Sequence, residues 1–441
     1  VLDLLIVSVI FLSALILSVI FDISMIYALI LGLICFSVLT IRRGFSFSAL
    51  LNMIWIGVKK SFIVIKIFII IGALTAIWRA CGTVPLFIYY GTKWIIPEFF
   101  ILFAFLLTCA VSFLIGTSFG TVGTIGIALM ALAQSGGVSI PITAGAIISG
   151  AYFGDRCSPM SSSANLVAAL TETNIYDNVK LMLRTVVLPF IASCIGFLVL
   201  SFFNPLLATD SPITAQLSEY FDLNVIVMIP AAIVILLTAF KCDIRLSMIL
   251  SILSGSAIAF FLQHMSFVEI LKCLLFGFYP EGNIISTDII SGGGLLSMVS
   301  VCVIVVIASA YSGIFEETKM LHSVEEYIEK LCLKFSLFPT MILTSIVTSA
   351  LCCTQVIAML LTCQFLNPIY KKYGLEKQTL AIDMENSVSL LPCLIPWNIS
   401  VAVPIVMLSA SAACIPYLLF IYAVPIFYIF TRRKTPLSKT E

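Results

Sequence analysis

Apolar runs of about 20 residues recur along the whole of this 441-residue chain. A helix needs roughly 20 such residues to cross about 30 Å of hydrocarbon. Qualifying runs lie near 2–21, 23–41, 61–81, 97–115, 139–153 (continuing past a polar break to 172) and 181–203. A second set covers 223–240, 246–263, 292–314, 335–353, 377–392 (again broken) and 401–430. The mixed stretches 43–58, 84–96 and 265–279 read as interfacial helices or loops. Hydrophobic residues make up 61% of the chain and charged ones 10%, which excludes a soluble globule. The net charge of +1 gives no basic surface for nucleic acid. The first run lacks a positive flank and a small-residue cleavage site, so it reads as a span and not as a signal peptide. The expected class is an all-α polytopic membrane protein.

Lys and Arg concentrate on the cytoplasmic side of membrane proteins. With the N-terminus inside, 18 of the 23 basic residues fall in cytoplasmic loops and only Lys93 and Lys272 fall outside. Lys66, Arg79 and Arg156 lie within or beside spans, and Arg79 reads as snorkelling to the interface. Both termini are therefore expected in the cytoplasm, in a cell membrane of the bacterial inner-membrane kind. Fourteen cysteines are scattered through the spans, read as packing residues, and predict no disulfides. Neither CxxC nor a histidine cluster is present, so no structural metal and no cofactor are expected.

Laying the second half over the first so that Thr121 meets Thr354 also brings Pro159 onto Pro392 and Asn165 onto Asn398. A slightly smaller shift brings Gly82 onto Gly313. The link 204–222 has no Lys or Arg and reads as extracellular, while the Lys-rich loop 370–377 answers the uncharged loop 134–140. Two inverted repeats follow, 1–203 and 223–432, with 433–441 as a cytoplasmic tail. Each divides into scaffold spans (1–96, 223–334) and a transport part (97–203, 335–432). Inverted repeats with broken helices and re-entrant hairpins place a binding site near the midplane. The segment 97–135 is either two spans or a re-entrant hairpin; the hairpin, preferred here, puts Thr117, Ser118 and Thr121 at a deep tip.

The stretch Gly150–Asn165 sets Asp155, Arg156, Ser158, Ser161, Ser162, Ser163 and Asn165 inside an apolar segment. An ionisable group at that depth faces a partner or a water-filled cavity. Pro159 interrupts the helix and frees carbonyls, which join hydroxyls and a carboxylate as hard oxygen ligands for a small cation. The helix that restarts after the break points its positive end at the same place, which suits an anion. The competing readings are an Asp155–Arg156 ion pair that only orients the segment, and serines that bond back to helix carbonyls. In the second half, Asp383, Glu385, Asn386, Ser387 and Ser389 precede Pro392, and Trp397, Asn398 and Ser400 follow it. Asp383 and Glu385 also read as solvated residues near a helix end, as do the acidic residues at 316–329.

The run Gly154-Asp155-Arg156-Cys157-Ser158-Pro159-Met160-Ser161-Ser162-Ser163-Ala164-Asn165-Leu166 resembles the signature of the NhaC-type sodium/proton antiporters. Gly116-Thr117-Ser118-Phe119-Gly120-Thr121 and Glu385-Asn386-Ser387 also resemble its pattern. The resemblance implies sodium/proton exchange by alternating access, elevator movement and a homodimer. Some relatives exchange organic acids such as malate for lactate, so a small carboxylate or amino acid stays an alternative substrate. On this reading Asp155, Ser158 and Asn165 hold sodium. The wider ion-binding set adds Arg156, Ser161, Ser162, Ser163, Thr117, Ser118, Thr121, Thr354, Glu385, Asn386, Ser387 and Asn398. Asp155 would alternate between a proton and a cation, and Arg156 would serve either as counter-ion or as a carboxylate ligand. An intramembrane aspartyl enzyme is disfavoured because no GxGD element precedes Asp155, and HExxH, GxSxG and P-loop motifs are also missing.

Overall fold

A computed structural model describes residues 2–21, 23–94, 96–206, 217–240, 242–280, 291–318, 332 and 336–432. Helices fill most of it, and five are long and apolar enough to cross a membrane, or six if one bent pair counts as a span. The expected runs return as Leu2–Ile20, Met25–Arg42, Phe100–Ile115, Ile175–Phe203, Ile244–Phe261 and Val299–Thr318. Two boundaries differ from the sequence reading. The stretch 43–58 is no separate interfacial element: it opens the 34-residue helix Phe47–Ala80, capped by the Ser46 hydroxyl accepting from Ala49 N–H. The stretch 84–96 becomes Thr83–Trp94, bent 61° from the preceding helix across Gly82, whose φ of +90° a side chain would oppose. The basic and acidic residues at 319–331, most of the link 204–222 and the tail 433–441 lie outside the described residues.

Between helices in lipid, hydrophobic transfer supplies little drive, and close packing of small residues takes its place. Two such contacts organise the molecule. In the first, a Cβ on Gly313 would meet the Met53 carbonyl oxygen at 2.3 Å, which seats Val299–Thr318 against Phe47–Ala80. Gly313 is thus a helix-packing residue, whereas Gly82 makes a bend, so their alignment in sequence reflects no shared role. An aromatic group of Phe11, Phe36, Tyr311 and Phe315 packs beside this contact, with ring centroids 4.7–6.3 Å apart.

The second contact joins Phe100–Ile115 to Ile140–Cys157. Gly150 and Gly154, one turn apart, lie against the Phe105 carbonyl and the Ser112 backbone, and Ser112 Oγ donates to the Ala151 carbonyl. Phe105 stacks with Phe197 at 4.8 Å and Phe190 at 5.6 Å, which brings in Ile175–Phe203. That long helix buries Val186, Pro189, Ser193 and Phe197 and exposes Val187, Leu188, Ile191 and Ile195, as a helix with one face on protein and one on lipid must.

The two halves share a local construction. Phe100–Ile115 ends on left-handed Gly116, and Thr117 starts the next helix; Leu337–Cys352 ends on left-handed Cys353, and Thr354 starts Gln355–Lys372. Ser161 and Asn398 cap the helices that resume after each break. Gly116 with Cys353, Thr117 with Thr354 and Ser161 with Asn398 are all separated by the same distance along the chain. Thr354 therefore answers Thr117 rather than Thr121, and Asn398 answers Ser161 rather than Asn165.

Candidate functional site

Ile140–Cys157 stops where Pro159 can no longer supply an N–H, and Ser162–Thr171 begins after four residues. The break is held from within. Ser158 N–H donates to the Gly154 carbonyl at 2.9 Å, and Met160 N–H to Ser158 Oγ at 3.2 Å. Ser161 Oγ donates to Asp155 Oδ1 at 3.3 Å, lies 2.8 Å from Ser163 Oγ, and accepts from Ala164 N–H. Ser163 Oγ donates to the Asp155 carbonyl at 3.0 Å. Asp155 is 5% exposed, and the Ser118 backbone N–H and the Gln355 amide also face its carboxylate. Gly116 permits this approach of the 116–121 turn: its φ is +72°, and a Cβ there would lie 2.7 Å from the Met160 carbonyl carbon.

Arg156 turns away from Asp155. Nε donates to the Glu385 carbonyl at 3.1 Å, and Nη2 to Asn386 Oδ1 at 2.6 Å and Thr185 Oγ1 at 3.0 Å, while Nη1 donates to Cys157 Sγ at 3.2 Å. The expected alternative of an Asp155–Arg156 ion pair is therefore not what forms among the described residues. Arg156 fastens the first break to the second, and so does Tyr152, whose hydroxyl donates to the Ser400 carbonyl at 2.7 Å.

In the second half, Lys377–Glu385 stops at Asn386, and turns with one short 3-10 helix, Leu391–Leu394, run to Asn398. Both Glu385 carboxylate oxygens are buried without a hydrogen-bond partner among the described residues, as are Asn386 Nδ2, Ser389 Oγ and Thr354 Oγ1. Buried polar atoms are almost always paired, so such a concentration marks a place built for something other than the fold. Glu385 lies beside Ser389 and within electrostatic reach of Arg156 and Asp155.

The remaining expected residues divide. Thr117 and Thr121 build the turn itself: Thr117 Oγ1 accepts from Gly120 N–H and its carbonyl accepts from Thr121 Oγ1 at 2.8 Å. Ser387 Oγ bonds back to the Asp383 carbonyl at 2.7 Å, and Asn398 Nδ2 donates to the Ser349 carbonyl at 2.9 Å. Ser162 and Asn165 are exposed on the far side of the resumed helix, and Asn165 Nδ2 is spent on the Pro159 and Ser161 carbonyls. Those two depart from the sequence expectation, because the helical turn after Ser161 rotates them away from Asp155.

Asp383 is neither solvated nor free. Arg432 binds it through Nη2 at 2.6 Å and Nε at 3.0 Å, and the Tyr370 and Tyr428 hydroxyls donate to it at 2.5 and 2.8 Å. Arg432, at the end of the last described helix, is thus a partly buried counter-ion of Asp383. Arg79 likewise points inward, with Nε buried and its guanidinium beside Gly292. Sequence reasoning also passed over Gln355, Thr185 and Tyr152, whose polar atoms gave no cluster along the chain. At the surface, Glu172 pairs with Lys377 at 2.5 Å, which holds its carboxyl below the usual carboxylate range.

Residues 150–432 match the profile of the Na+/H+ antiporter family. The chain is 29% identical to the malate-2H(+)/Na(+)-lactate antiporter of Bacillus subtilis over 82% of this chain and 78% of that protein. It is 29% identical to the Na(+)/H(+) antiporter NhaC of Alkalihalophilus pseudofirmus, over 80% and 77% of the two chains. With the arginine/ornithine antiporter ArcD of Halobacterium salinarum the identity is 26%, over 80% and 73%.

Proposed function

The chain belongs to the Na+/H+ antiporter family, and from that footing we propose that it exchanges sodium for protons, with the cation held at the Asp155 break. It is a multi-pass membrane transporter and not an enzyme. The carrying observation is the buried Asp155 carboxylate at a helix break, accepting from the Ser161 hydroxyl, with Ser118 and Gln355 within electrostatic reach. A carboxylate there accepts a proton or a hard cation and gains little from holding both, which is the elementary requirement for exchange. Ser158 and Ser163 line the same break, while Glu385, Asn386 and Thr354 supply the opposite wall.

The finer architecture belongs to the same proposal. The constant offset between the two turns and the two caps supports two repeats, and the charge bias supports their inversion with both termini cytoplasmic. The contact of Gly116 with Met160 supports a re-entrant turn at 116–117, since it meets the helix break. The parts 97–203 and 335–432 would move together against the scaffold, elevator-like, within a homodimer in the bacterial inner membrane.

Similarity to the malate/lactate antiporter favours a second reading, a sodium- or proton-coupled organic-acid exchanger. Arg156 weighs against it, because its Nε and Nη2 donors already hold Glu385, Asn386 and Thr185. Purified protein in liposomes tests the choice. Sodium-driven proton flux is expected, and Asp155→Asn should reduce it by about 100-fold or more. Intact exchange in that variant, or flux that requires an organic acid, would reject the cation reading.

A further inference from the structure

Gln355 lies between the two half-sites, as Arg156 and Tyr152 do, but it alone of these three has a side-chain amide within reach of the Asp155 carboxylate. It is the first residue of Gln355–Lys372, directly after Thr354, whose hydroxyl is buried without a partner. Its Nε2 donates to the Ser389 carbonyl at 2.7 Å, and the same amide lies within electrostatic reach of the Asp155 carboxylate. Ser389 in turn lies beside the unpartnered Glu385 oxygens. The groups run in order Asp155, Gln355, Ser389, Glu385. At the matching place in the first half, directly after Thr117, stands Ser118, which offers Asp155 its backbone N–H.

We propose that Gln355 is a cation-selecting residue of the exchange site, bridging the Asp155 and Glu385 half-sites. The proposal rests on the sodium/proton reading above. An amide suits this duty because it carries two N–H donors and a carbonyl oxygen on one planar group. Without a cation, the N–H side stabilises the Asp155 carboxylate. A cation beside Asp155 repels that N–H side, and rotation about the broad terminal torsion of the side chain brings the oxygen round as a neutral ligand. The bond to Ser389 resists this rotation and sets how far the oxygen can reach. Cations of different radius are thereby distinguished, since a ligand of fixed reach favours one cavity size.

Sodium- and lithium-driven proton flux in proteoliposomes, compared across Gln355 variants, tests this. In Gln355→Leu, which keeps the bulk and removes the polar atoms, the sodium KM is expected to rise roughly tenfold, more than kcat falls. The sodium-over-lithium preference should change with it. Gln355→Glu should lower the sodium KM, and Gln355→Asn, with shorter reach, should shift the preference without abolishing flux. Unchanged KM and preference in Gln355→Leu would overturn the proposal. So would a fall in kcat alone across all three variants, which is what a purely structural role produces. The underlying reading fails separately, if the unaltered protein moves no sodium or if Asp155→Asn keeps exchanging.

Discussion

Asp155 and Glu385 each stand in the last turn before a helix break, and both are buried, yet they are built in opposite ways. Around Asp155 the local chain supplies the hydrogen bonds, Ser161 Oγ to the carboxylate and Ser163 Oγ to the carbonyl, with Ser118 and Gln355 approaching from elsewhere. Around Glu385 the chain supplies structure to everything except the carboxylate, whose oxygens stay unpartnered while its carbonyl is taken by Arg156. One carboxylate is preorganised by its neighbours in sequence. The other depends on what arrives. The difference also separates function from stability, because satisfied groups hold the fold and unsatisfied ones cost it.

Arg156→Ala and Glu385→Gln put that contrast under most strain. Removing Arg156 strips donors from Asn386 and the Glu385 carbonyl together, so stability in detergent should fall by about 3 kcal/mol, with exchange lost. Glu385→Gln breaks no hydrogen bond, so thermal unfolding should stay near that of the unaltered protein while exchange falls about tenfold or more. A large drop in melting temperature for Glu385→Gln would erase the distinction. Asp383→Asn comes next. It leaves the partly buried Arg432 without its counter-charge and should cost about 3 kcal/mol, yet the sodium KM of the folded fraction should not move, because Asp383 faces Arg432 and two tyrosines. A changed KM would bring Asp383 into the site.

Smaller effects probe the exposed residues. Asn165→Ala should cost about 1 kcal/mol through the lost bonds to Pro159 and Ser161, without altering sodium KM, and Ser162→Ala should do neither. A raised KM in either would restore them as ligands. Lys377→Ala should have the least effect, since its bridge to Glu172 is exposed and screened by salt. Lys377 lowers the Glu172 pKa, so the bridge contributes above the ordinary carboxylate pKa and fades as pH falls through the lowered value. The bridge is fully formed throughout about pH 6–8, so removing it should leave the shape of the flux profile over that range unchanged.

Much of this was legible along the chain. Hydropathy located the helices because span length is set by the bilayer, and the Gly154–Leu166 run pointed to the helix break at Asp155 because the serines that hold it are local. Where the reading went astray, the cause was rotation or distance. Ser162 and Asn165 belong to the polar run but sit on the outer face of a helix whose phase is fixed by its Ser161 cap. Asp383 gained a partner 49 residues away, in a residue whose position suggested only a topological anchor.

The sequence by itself determined that this chain lives in a membrane, where its apolar helices lie, and which carboxylate stands beside a run of serines. Those properties depend on residues near one another in the chain and on a solvent of known thickness. Only the tertiary structure decided that Arg156 serves the second half rather than Asp155, that Gln355 lies between the carboxylates, and that Glu385 is left unpartnered. Each of these depends on which side chains of two distant breaks meet, through contacts such as Tyr152 with the Ser400 carbonyl, and not on any spacing along the chain.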